Sequence, residues 1–192
     1  MRTVREIVLP ETRPETEWIG DRPVQKVSPT RKHGLLQLAF AEALKAWAKA
    51  GNRGQVATEW RFRASPPGED IHPLVPDVAY MSYERLRPLS SKDRETPPVA
   101  PEIVVEILSP DDREKDVAEK RRVYFAWGVL LEFIADPQNR TLDVYDRNGL
   151  HERVGAEHQT YSPAIIPNLA LPVRAMFAEI DIPDELSALP PT

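Results

Sequence analysis

The sequence contains no cysteine among its 192 residues. Disulfide bonds, thiolate zinc sites and cysteine nucleophiles are therefore excluded. A chain without disulfides is typical of the cytosol, so we expect a cytoplasmic location. No apolar run approaches the roughly 20 residues that a membrane-spanning helix needs, and no membrane anchor is expected. The first residues, MRTVREIVLPETRPE, are charged throughout and lack the apolar segment of a secretory signal.

Basic residues are fewer than acidic residues, which gives a net charge of −5. Affinity for a nucleic-acid backbone comes mostly from clustered lysine and arginine, which disfavours a chain coated in such contacts. A nuclease is still allowed, since its carboxylate site is itself acidic and its basic residues can lie on one face. Hydrophobic residues make up 41% and charged residues 29%, a balance typical of a globular protein.

Twenty prolines interrupt the chain, but none of the stretches between them has the composition of a linker between domains. A domain holds about 150 residues as a rule of thumb. We therefore expect a single domain over residues 1–182. The last residues, 183–192, are rich in proline and alanine and are predicted to form a loose tail.

Hydrophobic periodicity predicts strands and helices in alternation. An N-terminal β-hairpin is predicted over residues 15–28, with Gly20-Asp21 as its turn. The helices are predicted over residues 30–50, 112–127 and 173–180. The further strands are predicted over residues 55–63, 75–80, 103–108, 130–135 and 141–146. Residues 65–73 and 84–100 are polar and rich in proline and are interpreted as loops.

The order of these elements predicts an α/β (α+β) fold, in which a mixed sheet is flanked by helices. The first long helix has Ser28 or Thr30 as its candidate cap.

Glu106 lies in IVVEIL, where all the remaining residues are aliphatic. An unpaired buried carboxylate is very costly, so Glu106 must be protonated, paired with a cation or bound to a metal ion. A structural ion pair with a lysine or an arginine explains this residue as well as a metal ion does.

Asp77 lies 29 residues before Glu106, behind Pro76 at the start of another predicted strand. Two adjacent strands can bring two carboxylates to one point. Hard oxygen ligands suit Mg²⁺ or Mn²⁺, which keep several waters and take one or two protein carboxylates. An ordinary turn acid after proline is the alternative for Asp77.

Lys120 lies 14 residues after Glu106, on the predicted helix 112–127. A lysine near a metal ion and a phosphate can neutralise developing charge or orient the attacking water. The alternative is a solvated lysine in the charge-rich run DREKDVAEKRR.

These residues belong to longer stretches that cover most of the chain. The stretches are EWIGDRPVQKVSPTRKHG, VPDVAYMSYERL, PPVAPEIVVEILSPDDREKDVAEKRRVYFAWGV and ADPQNRTLDVYDRNG. They resemble the Uma-two family of restriction-endonuclease-like proteins in the PD-(D/E)XK nuclease superfamily. The resemblance implies a restriction-endonuclease-like fold and a metal-dependent site, with Asp77 and Glu106 as the acidic residues of the motif.

The sequence departs from the family pattern in two places. The lysine expected two residues after the acid is absent, because Leu108 stands there. Families of this kind can place the lysine on the following helix, a position that Lys120 fits. After Gly128-Val129 the family tends to show Pro-Glu and two aromatic residues, but this chain has Leu-Leu-Glu-Phe, which we interpret as a difference in packing.

Three further residues are secondary candidates for the site. Glu59 could be another metal or water ligand, or a solvent-facing acid beside Arg61. His33 could contact phosphate, or be an ordinary surface histidine. Tyr124 lies one helical turn after Lys120 and could line the site or only pack.

The resulting hypothesis is a metal-dependent endonuclease that hydrolyses DNA phosphodiester bonds. Asp77 and Glu106 would hold Mg²⁺ or Mn²⁺, and Lys120 would complete the catalytic set. One alternative is a catalytically inactive dimeric binding or scaffold protein, with Glu106 and Lys120 as a structural ion pair. Another is a metal-dependent hydrolase of small phosphate esters. By analogy with nucleases that cut two strands, we expect a homodimer.

Overall fold

A six-stranded mixed sheet is central to the computed structural model, which describes residues 4–182. The predicted tail, 183–192, lies outside the described residues. The strands are β1 Thr16–Ile19, β2 Arg22–Gln25, β3 Gly54–Thr58, β4 Phe62–Ala64, β5 His72–Leu74, β6 Val78–Ser82, β7 Ile103–Ile107, β8 Leu131–Asp136, β9 Thr141–Asp146 and β10 Gly149–Gly155. The helices are α1 Arg31–Ala50, α2 Tyr83–Leu86, α3 Ser91–Glu95, α4 Glu114–Trp127 and α5 Val173–Ala178.

The large sheet has the strand order β10-β9-β8-β7-β6-β3. Strands β7 and β8 are parallel, and the other neighbours in this sheet are antiparallel. Two small antiparallel pairs, β1-β2 and β4-β5, lie beside it. The predicted mixed sheet with flanking helices and an N-terminal hairpin is thus confirmed.

Strand β7 is buried on both faces, which explains its aliphatic sequence. Ile103, Val105 and Ile107 join the core cluster formed with α1. Val104 belongs to the opposite cluster, which contains side chains of α4. Because side chains alternate along a strand, Glu106 is on the face of Val104, toward α4.

Helix α1 begins after Thr30, whose side chain accepts a hydrogen bond from the backbone N–H of His33. Thr30, and not Ser28, is therefore the cap. The buried stripe of Leu36, Phe40 and Leu44 packs this helix on the sheet. Helix α4 ends at Gly128, whose φ of 117° is in the left-handed region that favours glycine. Both helices are confirmed to within two residues.

The prediction of one strand over residues 55–63 is wrong. Glu59 has a left-handed φ of 50° and separates β3 from β4. Strand β3 pairs with β6 in the large sheet, whereas β4 pairs with β5. Alternation of apolar residues continues through this break, so periodicity could not reveal it.

Both predicted loops contain short elements. Residues 65–73 overlap β5, and residues 84–100 contain most of α2 and all of α3. These elements have three to five residues, too few for a periodic pattern.

The residues of β8 that depart from the family pattern are buried. Leu131 and Phe133 are core residues, and Glu132 is buried in an ion pair with Arg121 of α4 at 2.9 Å. None of the helices in residues 4–182 combines the length and apolar character needed to cross a membrane.

Candidate active site

Asp77 directly precedes β6, and Glu106 lies in β7, the antiparallel neighbour of β6. Val78 of β6 lies opposite Val105 of β7. Asp77, the residue before Val78, therefore faces Glu106, the residue after Val105. The backbone N–H of Ile107 donates to Oδ2 of Asp77 at 2.7 Å. The sequence placed Asp77 and Glu106 on separate strands, and the structure brings their side chains to one cavity.

Helix α4 contributes Lys120 and Tyr124 to the same point. Nζ of Lys120 lies 2.7 Å from Oε1 of Glu106, and the hydroxyl of Tyr124 donates to that oxygen at 2.6 Å. The two residues are one helical turn apart and therefore share a face of α4. Leu108 also lines the cavity, so Lys120 reaches the region that the expected motif lysine would occupy.

Glu17 is a buried acid of this site that the sequence reasoning missed. Its Oε2 lies 3.0 Å from Nζ of Lys120, and its Oε1 accepts from the backbone N–H of Val75 at 2.7 Å. On β1, Glu17 alternates with Trp18 and shares the buried face with Ile19. Glu106 was singled out by its aliphatic neighbours, whereas Glu17 lies beside Glu15 and Thr16, so the sequence carries no such signal for it.

Lys26 was also missed. It follows β2, and its Nζ lies 2.6 Å from Oδ1 of Asp77 and 2.8 Å from Oε2 of Glu59. It also donates to the backbone carbonyl of Val75 at 3.0 Å. Nothing in the sequence distinguishes this lysine from a solvated one at the end of a hairpin.

Glu59 and His33, two of the secondary candidates, both lie near Asp77. Oε1 of Glu59 accepts from Nε2 of Gln37 at 2.7 Å, and Gln37 also donates to the carbonyl of Asp77 at 2.9 Å. Nε2 of His33 lies 3.4 Å from Oδ2 of Asp77. The imidazole of His33 is buried, and neither ring nitrogen has a hydrogen-bond partner among the described residues.

The hairpin β1-β2, the end of β7 with the segment that follows it, and α4 surround a cavity of about 340 Å³. Asp77, Glu106 and Lys120 all line it, and they are 2%, 8% and 7% exposed. At the rim, the guanidinium of Arg22 makes two 2.7 Å hydrogen bonds to Asp116 of α4. The carboxylates are therefore reached through this cavity and not from a flat surface.

The sequence profile of the Uma2 family, described as "Putative restriction endonuclease", matches residues 6–174. The chain belongs to the Uma2 family. The family resemblance of the sequence is therefore confirmed, and membership supports a nuclease-like function. A comparison with proteins of curated function gave no match.

A crystal structure described as a putative nuclease belonging to DUF820, from Anabaena variabilis, shares the fold. Its TM-score is 0.76 at 24% identity, and the likeness covers 90% of this chain and 94% of that one. At this identity the comparison shows the fold alone.

The two acids of this Uma2 site titrate in opposite directions. Burial raises the pKa of Glu106 to about 8, and Asp77 and Glu17 add to the rise while Lys120 opposes it. Burial acts on Asp77 too, but Lys26, Lys120 and the N–H of Ile107 outweigh it and lower its pKa. Asp77 is therefore ionised at neutral pH, while Glu106 mostly holds a proton.

The lysines keep their charge in this environment. Burial alone would lower the pKa of Lys120, but Glu106 and Glu17 raise it above its usual value. In the same way, Asp77 and Glu17 outweigh burial and raise the pKa of Lys26 above its usual value. Burial and the nearby Glu106 raise the pKa of Tyr124, so its hydroxyl stays a hydrogen-bond donor.

The family implies a divalent cation at this site. No group of three or more histidine, aspartate or glutamate side chains in residues 4–182 is arranged to hold a metal ion. Mg²⁺ needs fewer protein side chains than this, since it is usually bound through one or two carboxylates and several waters. Within the described chain, no donor contacts Oε2 of Glu106, because its bonds with Lys120 and Tyr124 both use Oε1.

Charge and hydrogen bonding also agree with a cation. Four carboxylates, when ionised, surround two ammonium groups and leave two negative charges, which one divalent ion balances. The carboxylates are Glu17, Glu59, Asp77 and Glu106, and the ammonium groups are Lys26 and Lys120. His33 is a buried polar group with no hydrogen bond beside Asp77. The side chains present therefore fit Mg²⁺ or Mn²⁺ at Asp77 and Glu106.

Proposed function

We propose that this protein is a metal-dependent endonuclease that hydrolyses DNA phosphodiester bonds. The observation that carries the proposal is the meeting of Asp77, Glu106 and Lys120 at one buried cavity, in a chain of a restriction-endonuclease family. Asp77 and Glu106 would hold Mg²⁺ or Mn²⁺. The ion supplies polarisation of the scissile phosphate and a lower pKa for the attacking water.

Lys120 is suited to stabilise the charge that develops on the phosphate. An ammonium group has three N–H donors, and only Glu17 and Glu106 accept from Lys120 among the described residues. One donor is therefore available to a phosphate oxygen in the cavity. A fixed donor in a buried site acts strongly on developing charge, because little water screens it.

The DNA backbone needs cationic contacts outside the buried centre. Several candidate arginines already hold carboxylates of this chain. Arg61 pairs with Glu15, Arg63 with Asp93, Arg121 with Glu132, and Arg122 with Glu69 and Glu119. Arg22 also holds a carboxylate, that of Asp116, but it lines the cavity together with Arg113, so these two arginines are better placed for a strand that enters it. A cytoplasmic location and a homodimer stay predictions.

Two alternatives make different predictions from the same geometry. An inactive scaffold requires a Glu106–Lys120 ion pair, and that pair is present, so the pair alone does not separate the hypotheses. His33 lines the cavity, and its buried Nδ1 has no hydrogen-bond partner among the described residues, which favours a site that binds a ligand. The volume of about 340 Å³ falls in the range of roughly 300–1,000 Å³ of small-molecule pockets, which favours the small phosphate ester as second candidate.

A cleavage assay tests the proposal. Plasmid and single-stranded DNA are incubated with Mg²⁺ or Mn²⁺ and the unchanged chain, Glu106→Gln, or the control Glu114→Gln at an exposed position of α4. We expect metal-dependent cleavage by the unchanged chain and the control, and a loss of at least about 100-fold in Glu106→Gln. Equal cleavage by all three proteins would reject the site. Hydrolysis of a small phosphodiester without DNA cleavage would favour the second candidate.

A further inference from the structure

We propose that Lys26 is a positioning residue that serves as the internal counter-cation of Asp77 and limits the affinity of the cavity for a divalent ion. This inference rests on the proposed metal site, because it concerns how tightly that site holds its ion. Lys26 belongs to the hairpin β1-β2, whereas Lys120 belongs to α4. The two ammonium groups thus reach the cavity from two different elements.

The contacts of Lys26 show that its ammonium group is held in one place. Its three N–H donors match three acceptors: Oδ1 of Asp77, Oε2 of Glu59 and the carbonyl oxygen of Val75. Lys120 has two acceptors in the described chain. Lys26 therefore has no spare donor for a substrate, and its role is directed at Asp77.

The backbone supports this position of Lys26 at a cost. Glu59 has a φ of 50°, a left-handed conformation that costs a glutamate on the order of 1 kcal/mol. The turn there places one carboxylate oxygen on Lys26 and the other on Gln37, which itself donates to the carbonyl of Asp77. The turn at Glu59 thus ends β3 and also fixes the surroundings of Lys26 and Asp77.

The consequence for metal binding is electrostatic. A positive charge 2.6 Å from a ligand oxygen repels a divalent ion that approaches the same carboxylate. Removing that charge adds one negative charge to the surplus of the cluster. It also leaves the buried Asp77 without its cation, which destabilises the fold until a metal ion takes that role.

The test compares the unchanged chain with Lys26→Gln, which is neutral but still donates to carboxylates, and with Lys26→Arg, which keeps the charge. Lys45→Gln on the exposed face of α1 is the matched control. Mn²⁺ affinity is measured by titration calorimetry, and the melting temperature is measured in EDTA and in Mn²⁺. A merely structural lysine would change the melting temperature in EDTA but not the Mn²⁺ affinity.

We expect Lys26→Gln to bind Mn²⁺ about tenfold more tightly or better, since ligand charge sets the affinity of such sites. It should melt lower than the unchanged chain in EDTA and gain more from Mn²⁺. Lys26→Arg and Lys45→Gln should keep the affinity of the unchanged chain. If Lys26→Gln folds only with Mn²⁺ present, the dependence is itself the expected result.

Equal or weaker Mn²⁺ affinity in Lys26→Gln would overturn the inference, as would failure to fold at any Mn²⁺ concentration. The failure of the proposed function looks different. There the unchanged chain would not bind Mn²⁺ at all, and binding gained in Lys26→Gln would still support the role of Lys26. Absence of binding in every variant would reject both.

Discussion

At the scale of single residues, Glu106 and Asp77 show how one cavity gives two carboxyl groups different charges. Asp77 receives a backbone N–H and an ammonium group at separate oxygens. Glu106 receives Tyr124 and Lys120 at one oxygen, and burial, reinforced by the nearby acids, raises its pKa to about 8. A ligand that needs both carboxylates must therefore displace a proton from Glu106 at neutral pH.

Metal binding should depend on pH through Glu106. Below its pKa of about 8 the bound ion must replace a proton, so Mn²⁺ affinity should rise with pH up to about 8 and then level off. Titration calorimetry from about pH 6 to about pH 9 in buffers of different ionisation enthalpy measures the released proton. A pH-independent affinity without proton release would contradict the assignment of Glu106 as a ligand.

The raised pKa of Glu106 also makes the metal-free fold less stable as the pH rises toward about 8. Between the usual value of 4.5 and about 8 the folded state binds more protons than the unfolded state. The free energy of unfolding should therefore fall as pH rises through this window, and it should level off above pH 8. Urea denaturation in EDTA should show this fall, and Glu106→Gln should reduce it.

His33 gives a second test at this scale. A buried imidazole without hydrogen bonds costs free energy, so His33→Leu should raise the free energy of unfolding by about 1 kcal/mol. The increase in the free energy of unfolding that Mn²⁺ produces should be smaller in His33→Leu than in the unchanged chain. Urea denaturation with and without Mn²⁺ measures both, with the exposed His158→Leu as control. A large loss of stability in His33→Leu would mean that the imidazole is a packed core residue.

At the scale of elements, the hairpin β1-β2 is the part that completes the site. It supplies Glu17 and Lys26, and it is tied to α4 by the Glu17–Lys120 and Arg22–Asp116 ion pairs. The first pair is buried, and Arg22 in the second is 38% exposed at its side chain. The two pairs link the same elements but should contribute very different amounts of stability.

Glu17→Ala should lower the free energy of unfolding by about 3 kcal/mol, because Lys120 and the N–H of Val75 lose a buried acceptor. Arg22→Ala should cost less than about 1 kcal/mol, as expected of a pair that water screens. Urea denaturation of both variants provides the comparison. Equal losses would show that burial does not decide the strength of this link.

The elements also show what the sequence could predict. Helix α1 has a long apolar stripe at helical spacing, and strand β7 is an almost unbroken aliphatic run; both predictions were confirmed. The break at Glu59 depends on hydrogen bonds to Lys26 and Gln37, both distant in sequence, so the local pattern could not contain it. Lys26 was missed for the same reason, because its partners come together only in the folded chain.

At the scale of the whole molecule, the net charge of −5 and the paired arginines limit unspecific attraction to DNA. We expect binding of duplex DNA to depend weakly on salt, with fewer than about four counterions released. Fluorescence anisotropy of labelled DNA in Ca²⁺ at several salt concentrations measures the slope. A slope near −10 would require a basic surface larger than the cavity rim provides.

The central claim is that the carboxylates of Asp77 and Glu106, from adjacent strands, hold one divalent ion. Diffraction from crystals grown with Mn²⁺, recorded near its absorption edge, tests this directly. We expect one anomalous peak in the cavity within about 2.5 Å of an oxygen of each carboxylate. A cavity without a peak, with Lys26 and Lys120 still paired to these acids at a saturating Mn²⁺ concentration, would contradict the claim.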